Sequence, residues 1–387
     1  MNEIVVVGAS LAGVESARAL RSAGYDGRLT IVGEEPHPPY DRPPLSKGFL
    51  LGAVEDSDLA LVDEQEELDV TWHTGVRAVG LDCAAGRVVL DDGDELHGDG
   101  VVLATGASAV HLPHSDGLEG IHTLRTVDDA RALRAALPDA SRVVVVGSGF
   151  IGCEVAASAR QLGLEVTLIG RETPLRAALG AKMGRAVGAL LADHGVVLCT
   201  AAVAGFEGAG RVRSVVLDDG RRLPADLVVL GIGARPAVAW LQDSGLELDG
   251  GVVCDAQGAT GAPGIVAVGD CARWYDERRG RPHRREHWTS ATEQAAIAAA
   301  ALLGTKPRRP RRAPYFWSDL FDARLQVAGW PEEADRVSVE EGGLEERRFL
   351  ALYRRGDEIV AVLAIDHGRS FTRWRRALDR AAVPAAA

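Results

Sequence analysis

At 387 residues the chain outgrows one ordinary core, so two or three domains are expected. Hydrophobic residues make up 47% and charged residues 25%, which excludes a disordered chain, and no apolar run reaches the ~18 residues needed to span a bilayer. A net charge of −12 argues against general nucleic-acid binding, although it is uneven: about −17 up to Asp270 and +5 from Cys271 onward.

The chain opens on the predicted strand "EIVVVG", a glycine turn, a helix through "LAGVESARALRSAG" and a second strand "RLTIVGE". That is a βαβ beginning of the doubly wound kind. The N-terminus reads as a strand and turn rather than a signal peptide, because a positive n-region and a cleavage site are missing. The expectation is a cytoplasmic protein. A later strand, "GVVLATG", closes this portion.

The same device then returns. "VVVGASLAGVES" (Val5 to Ser16) and "VVVGSGFIGCEV" (Val144 to Val155) align at an offset of 139 residues, with Gly8 on Gly147, Gly13 on Gly152 and Glu15 on Glu154. The second turn, Gly147, Gly149 and Gly152, is a complete G-x-G-x-x-G; the first has Ser10 at its middle position. Such turns bring backbone close to a pyrophosphate, which the free N–H groups and positive end of the following helix bind. One fingerprint is weak, but two in strand–turn–helix context imply two dinucleotides. After the second strand of the first copy comes Glu34, an acid suited to ribose hydroxyls. The second copy ends "LIGRE", with Gly170 where a carboxylate could stand and Arg171 beside it, as a 2′-phosphate would require. The first site thus reads as one for FAD. The second reads as one for NADPH or NADH, with NADPH slightly favoured. A flavin reduced by a nicotinamide follows.

Further on, "ADLVVLGIG" and "GIVAVGD" are buried strands and "SATEQAAIAAAALLG" is a helix. The Arg/Pro-rich "KPRRPRRAP" precedes a region of shorter strands such as "EIVAVLAID", and the final "AAVPAAA" should fray. The five cysteines are scattered, without a CxxC pair or metal-like spacing, so no metal and no thiol relay is expected.

The ordered motifs "PPYDRPPLSKGFL", "LATGA", "LRTVDDA", "GSGFIGCEVA", "GIGARP", "AVGDCA", "EHWTSATEQA" and "PYFWSDL" resemble the FAD-dependent NAD(P)H:ferredoxin reductases. This is the putidaredoxin, rubredoxin and biphenyl-dioxygenase reductase type, which serves P450s and Rieske oxygenases. The resemblance is close from Asn2 to about Gly329. It implies an α/β fold of glutathione-reductase-like architecture: two tandem Rossmann-like domains and a small α+β C-terminal domain. The implied division is 1–110 with 234–304 for FAD, 111–233 for NAD(P), and 305–387 as the C-terminal domain. By the same resemblance Gly8, Ser10, Gly13, Glu34, Arg42, Thr105, Arg125, Asp270 and the backbone at Trp288 bind FAD. Gly147, Gly149, Gly152 and Gly233 are implied to bind the nicotinamide nucleotide, joined by Arg171 from the reading of the second strand's end. Lys47 lies near the reactive face of the flavin and pairs with Glu154, these two being the catalytic candidates. The partner is an acidic [2Fe–2S] ferredoxin, docking near Arg308, Arg309, Arg311, Arg312 and Trp317, with no nucleic acid or membrane involved.

Three positions depart from the family pattern: Cys153 in place of a bulkier apolar residue, Leu320 in place of a glutamine, and Gly170-Arg171 in place of an acid. A disulfide reductase would need a cysteine pair in the first helix or in the second domain. A related peroxidase or NADH oxidase would need a cysteine after the Pro-rich turn, and Asp41 to Leu50 contain none. The alternative of another class is a flavin-bearing partner protein with slow turnover, of the apoptosis-inducing-factor kind.

Overall fold

In a computed structural model, describing residues 1–63, 65–113, 115, 117–306 and 312–382, each glycine turn lies at the heart of its own five-stranded parallel sheet. The chain divides into two compact units. One comprises Met1–Asp41, Leu59–Ser108 and Arg235–Arg311, the other Arg42–Asp58, Ala109–Ala234 and Arg312–Ala387. The short Arg42–Asp58 excursion and the whole C-terminal region group with the second turn.

In the first unit the strands run in the order Ile265–Ala267, Gly100–Leu103, Glu3–Val7, Arg28–Gly33, Thr71–Thr74. The three central strands are near-continuous Val/Ile/Leu runs, buried on both faces, as parallel sheets require. Helix Leu11–Ser22 packs beside helix Trp288–Leu302, and its buried face is largely small residues (Ala12, Gly13, Ser16, Ala17), which lets the backbones come close. An antiparallel meander, Ala78–Asp82, Arg87–Leu90 and Glu95–His97, completes this side of the chain.

The second unit repeats the order with Ile121–Thr123, Leu227–Leu230, Arg142–Val146, Glu165–Gly170 and Val197–Thr200. The outermost strand comes from different places in the two copies. The first sheet takes it from far downstream, at Ile265, and the second from upstream, at Ile121. The remainder of the chain forms an antiparallel five-stranded sheet, in the order Tyr315–Leu320, Ala323–Gly329, Glu358–Ile365, Arg348–Arg355, Arg336–Gly343. Helix Gly368–Ala382 lays Phe371 and Leu378 on it, packed with Trp330, Leu350, Leu352 and Val362. The architecture is therefore the expected α/β pair of Rossmann-like domains with an α+β C-terminal part.

Helix Arg176–Asp193 is broken at Gly180, whose φ of 77° and ψ of 168° leave the helical region. Leu179 just before the break keeps its carbonyl satisfied because the buried Tyr353 hydroxyl donates to it at 2.8 Å. Burial pushes the Tyr353 phenol above its ordinary pKa. Tyr353→Phe leaves that carbonyl without a donor and should cost about 1–2 kcal/mol. The urea midpoint should fall accordingly, and an unchanged midpoint would show that the bond contributes nothing.

Candidate functional site

The two turns share one local geometry, set by close approaches of backbone. Gly8 has φ +124°, and a Cβ there would stand 2.1 Å from the Ala104 carbonyl oxygen; Gly147, with φ +112°, would meet the Gly231 carbonyl oxygen at 2.1 Å. One turn into each helix, a Cβ on Gly13 or Gly152 would lie 1.8 Å from the carbonyl oxygen of Gly8 or Gly147. No side chain fits at any of the four. The space beside Gly149, by contrast, is open. Ser10 takes the corresponding place in the first copy, as the extended N-cap of helix Leu11–Ser22. Backbone held bare at a helix N-terminus is a cradle for a pyrophosphate, and both copies present it.

Strand register refines the reading of the second strand's end. Val7 pairs with Val32 and Val146 with Ile169, so Gly33 and Gly170 stand opposite Gly8 and Gly147 at equivalent positions. Each needs to be glycine. A Cβ on Gly33 would come 2.5 Å from the Ala9 Cβ, and one on Gly170 would come 2.2 Å from the Ser148 Oγ. The residue matching Glu34 is therefore Arg171 itself. Between the two copies, the register thus sets a guanidinium where the first carries an acid, one residue on from Gly170. Arg171 is exposed. Glu34, also exposed, pairs with Arg77 at 2.6 Å, a surface pairing weak enough for ribose hydroxyls to replace.

The other first-unit candidates cluster around the ends of the sheet. The Thr105 hydroxyl donates to the Ala237 carbonyl at 2.7 Å. Asp270 lies in the short 3-10 turn Gly269–Cys271, whose first N–H donates to the buried Gln294 Oε1 at 2.9 Å. Trp288 begins helix Trp288–Leu302, and its indole N–H donates to Asp41 at 2.9 Å.

In the second unit the Arg42 guanidinium donates to the Arg125 carbonyl at 2.5 Å, and Arg125 precedes a helix capped by Thr126 and Asp129. Gly233, with φ +113°, has nothing within 4 Å of where a Cβ would point. Lys47 and Glu154, 107 residues apart in the chain, meet at 2.9 Å. Glu154 is 3% exposed on helix Phe150–Gln161, and such a buried carboxylate requires partners on both oxygens. One oxygen accepts from Lys47 and from the Ser46 hydroxyl, and the other accepts from the Ser318 hydroxyl at 2.6 Å. The Ser158 hydroxyl in turn fixes the Ser46 carbonyl at 2.8 Å. The ammonium also donates to the Pro43 carbonyl at 3.0 Å.

Ser46 and Ser318 went unnoticed in the motif reading. A signal for Ser318 existed: it shares the inward face of strand Tyr315–Leu320 with Phe316 and Leu320, yet is polar and wholly buried. Its neighbour Phe316 packs edge-on against Phe150 with centroids 4.7 Å apart. Leu320, at the departure from the family glutamine, is fully buried. On the opposite face Trp317 stacks on Tyr315 at 5.9 Å, with the Arg324 guanidinium above its ring. Arg312 is exposed, while Arg308, Arg309 and Arg311 lie outside the described residues.

Family models match residues 2–295 as pyridine nucleotide-disulphide oxidoreductase and 315–387 as reductase C-terminal. The chain belongs to the pyridine nucleotide-disulphide oxidoreductase family. It is 39% identical over 386 residues to the chlorobenzene dioxygenase ferredoxin reductase component of a Cupriavidus strain, covering 98% of this chain and 93% of that one. It is 38% identical to the benzene 1,2-dioxygenase ferredoxin–NAD(+) reductase subunit of Pseudomonas putida, covering 98% and 92%. The fold superposes on putidaredoxin reductase in its covalent complex with putidaredoxin with a TM-score of 0.94, at 34% identity over 98% of this chain and 93% of that one.

The family name refers to disulfide chemistry, but all five cysteines here are free thiols. Burial pushes Cys153, Cys254 and Cys271 well above the ordinary thiol pKa, and for Cys153 the neighbouring Glu154 adds to the effect. None of these three is poised as a nucleophile. Among the described residues, no helix is long and apolar enough to cross a membrane, and no group of three His, Cys, Asp or Glu side chains could hold a metal ion.

The Lys47–Glu154 pair invites a direct test of its energetics. Removing one charge of a buried pair strands the other, at a cost of about 3 kcal/mol, whereas removing both costs much less. Glu154→Gln keeps an acceptor for Ser318 but discards the charge and turns an amide donor toward Lys47. Its unfolding midpoint in urea should drop clearly, and adding Lys47→Met should recover at least half of the loss. If the double variant is no more stable than the single one, the pair is not the source of the cost.

Proposed function

We propose that this chain is a flavoprotein oxidoreductase that passes electrons from NAD(P)H through FAD to a [2Fe–2S] ferredoxin serving a P450 or Rieske oxygenase. The observation carrying this reading is the duplicated cradle: two turns in which bare backbone faces a helix N-terminus, in a chain whose buried cysteines offer no thiol relay. The names of its relatives, ferredoxin reductase components of chlorobenzene and benzene dioxygenases and a reductase in complex with putidaredoxin, support the same acceptor.

In this reading the first turn, with Ser10, Glu34, Thr105, Asp270 and the backbone at Trp288, holds FAD, joined by Arg42 and Arg125. Gly147, Gly149, Gly152, Arg171 and Gly233 hold the nicotinamide nucleotide. The three-part division at 110, 233 and 304 follows those roles. When bound, FAD accepts hydride from the nicotinamide and delivers electrons singly, which is why a one-electron iron–sulfur acceptor suits it. The protein's task is placement and electrostatics. Lys47, held by Glu154 alongside Ser46 and Ser318, is the catalytic candidate, and its ammonium would favour an anionic reduced flavin. The charge-neutral pair keeps that lysine ordered without leaving a lone cation buried.

Among nucleotides we assign a preference for NADPH at least equal to NADH, although the benzene dioxygenase relative is named for NAD(+). Arg171 stands in the register position of the acid that reads ribose hydroxyls. Arg171→Ala should weaken NADPH selectively, by about 1–2 kcal/mol for a charge-assisted phosphate contact. Steady-state kcat/KM for both nucleotides checks this, and equal losses would remove Arg171 from the 2′-phosphate.

The acceptor site we assign to Trp317 and Arg312, with Arg308, Arg309 and Arg311 of the same basic sequence run, whose charge suits an acidic ferredoxin. Stopped-flow reduction of a [2Fe–2S] ferredoxin by the FAD-loaded chain should be rapid. It should slow several-fold as salt rises from 0.01 to 0.15 M and the Debye length falls from ~30 to ~8 Å. Slow flavin reduction with no transfer to ferredoxin would instead favour a partner protein with little turnover. Rapid transfer without a salt slope would place docking elsewhere.

A further inference from the structure

Ser148 ties the loop that carries Arg171 to the glycine turn. This loop joins strand Glu165–Gly170 to helix Arg176–Asp193. At its far end the Leu175 N–H donates to the Ser148 carbonyl at 2.9 Å. At its near end the Ser148 hydroxyl donates to the Glu172 carbonyl at 3.3 Å, one residue past Arg171. Between the two, the Ser148 side chain fills the space beside Gly170, where an added Cβ would lie 2.2 Å from its Oγ and 2.6 Å from its Cβ. Leu175 closes the loop with a left-handed φ of 55°, and the Glu172 carboxylate reaches Arg176 at 3.5 Å.

The first copy shows what the turn looks like without this strap. Its matching residue is Ala9, which packs on Gly33 but carries no hydroxyl. The hydroxyl is thus absent beside Glu34 and present beside Arg171. A ribose can be gripped by a short carboxylate next to the sheet. A long guanidinium gains most when the backbone beneath it is fixed, because fewer conformations are then lost on binding.

We propose that Ser148 is a positioning residue for nucleotide choice: by strapping the Arg171 loop to the second glycine turn it raises affinity for the 2′-phosphorylated nucleotide over its unphosphorylated counterpart. The inference rests on the reading that Arg171 receives the 2′-phosphate, and the experiment separates the two.

The FAD-loaded full chain would be titrated calorimetrically with NADP+ and with NAD+. Ser148→Ala places in the second turn the residue that the first turn already carries, so the local fold should tolerate it. The Kd for NADP+ should rise about 3- to 10-fold, the loss of one hydrogen bond's worth of order, while that for NAD+ changes less than twofold. Ser148→Thr retains the hydroxyl and should restore most of the discrimination, whereas Ser148→Cys, of similar bulk but a weak donor, should not, an outcome opposite to that of a purely steric role. Arg171→Ala is measured alongside. If Arg171→Ala lowers the preference for NADP+ and Ser148→Ala does not, the strap is overturned and the phosphate reading stands. Equal weakening of both nucleotides by Ser148→Ala would reduce Ser148 to a residue that merely shapes the turn. If Arg171→Ala is itself unselective, both inferences fall together.

Discussion

The structure rests on a contact that leaves no room for an atom. At each turn the helix is drawn so near the strand that a Cβ on Gly13 or Gly152 would lie 1.8 Å from a carbonyl oxygen. That approach sets where the helix N-terminus points, and the helix direction sets which residues reach the end of the sheet. Glu34 and Arg171 have equivalent positions because the same constraint acts in both copies. An identical backbone device can therefore be specialised for different ligands by the residues placed around it.

The divergence of the copies is clearest at the paired glutamates. Glu15 and Glu154 align in sequence, yet Glu15 forms a partly exposed ion pair with Arg18, one helical turn on, at 2.7 Å. Glu154 is buried, and its partners come from the Pro43–Ser46 turn with Lys47 and from the Tyr315–Leu320 strand. An exposed pair contributes little to stability and can be lost cheaply. A buried carboxylate that depends on three donors from two other chain segments is a different object, because either segment shifting leaves a polar group unsatisfied. The second copy's helix is thereby coupled to the C-terminal sheet, and the first copy's helix carries no such obligation.

Charge is arranged in the same economical way. Cationic side chains are placed in exposed settings at Arg171, Arg312 and Arg324, while the partly buried cation Lys47 has its counter-charge within hydrogen-bond distance. The thiols lie on the opposite side of this division, mostly buried and held as neutral thiols by desolvation. Those three thiols are therefore poorly suited to disulfide exchange, despite the disulfide chemistry in the family's name.

The sequence by itself determined the two dinucleotide turns, the strands and helices beside them and the family, because these depend on short-range rules: glycine where backbone crowds, apolar runs where both faces are covered, an acid or a base at a strand's end. Lys47 opposite Glu154 was also legible, through resemblance. Only the tertiary structure decided which residue matches Glu34, since register is a property of paired strands and the identical glycines at 33 and 170 become visible only when the sheets are formed. It also decided that Ser46 and Ser318 complete the shell of Glu154, and that the fifth strand of one sheet comes from Ile265 and that of the other from Ile121. Those are contacts between segments more than a hundred residues apart in the chain, and a hydroxyl carries no mark in the sequence of the carboxylate it will meet once both are buried.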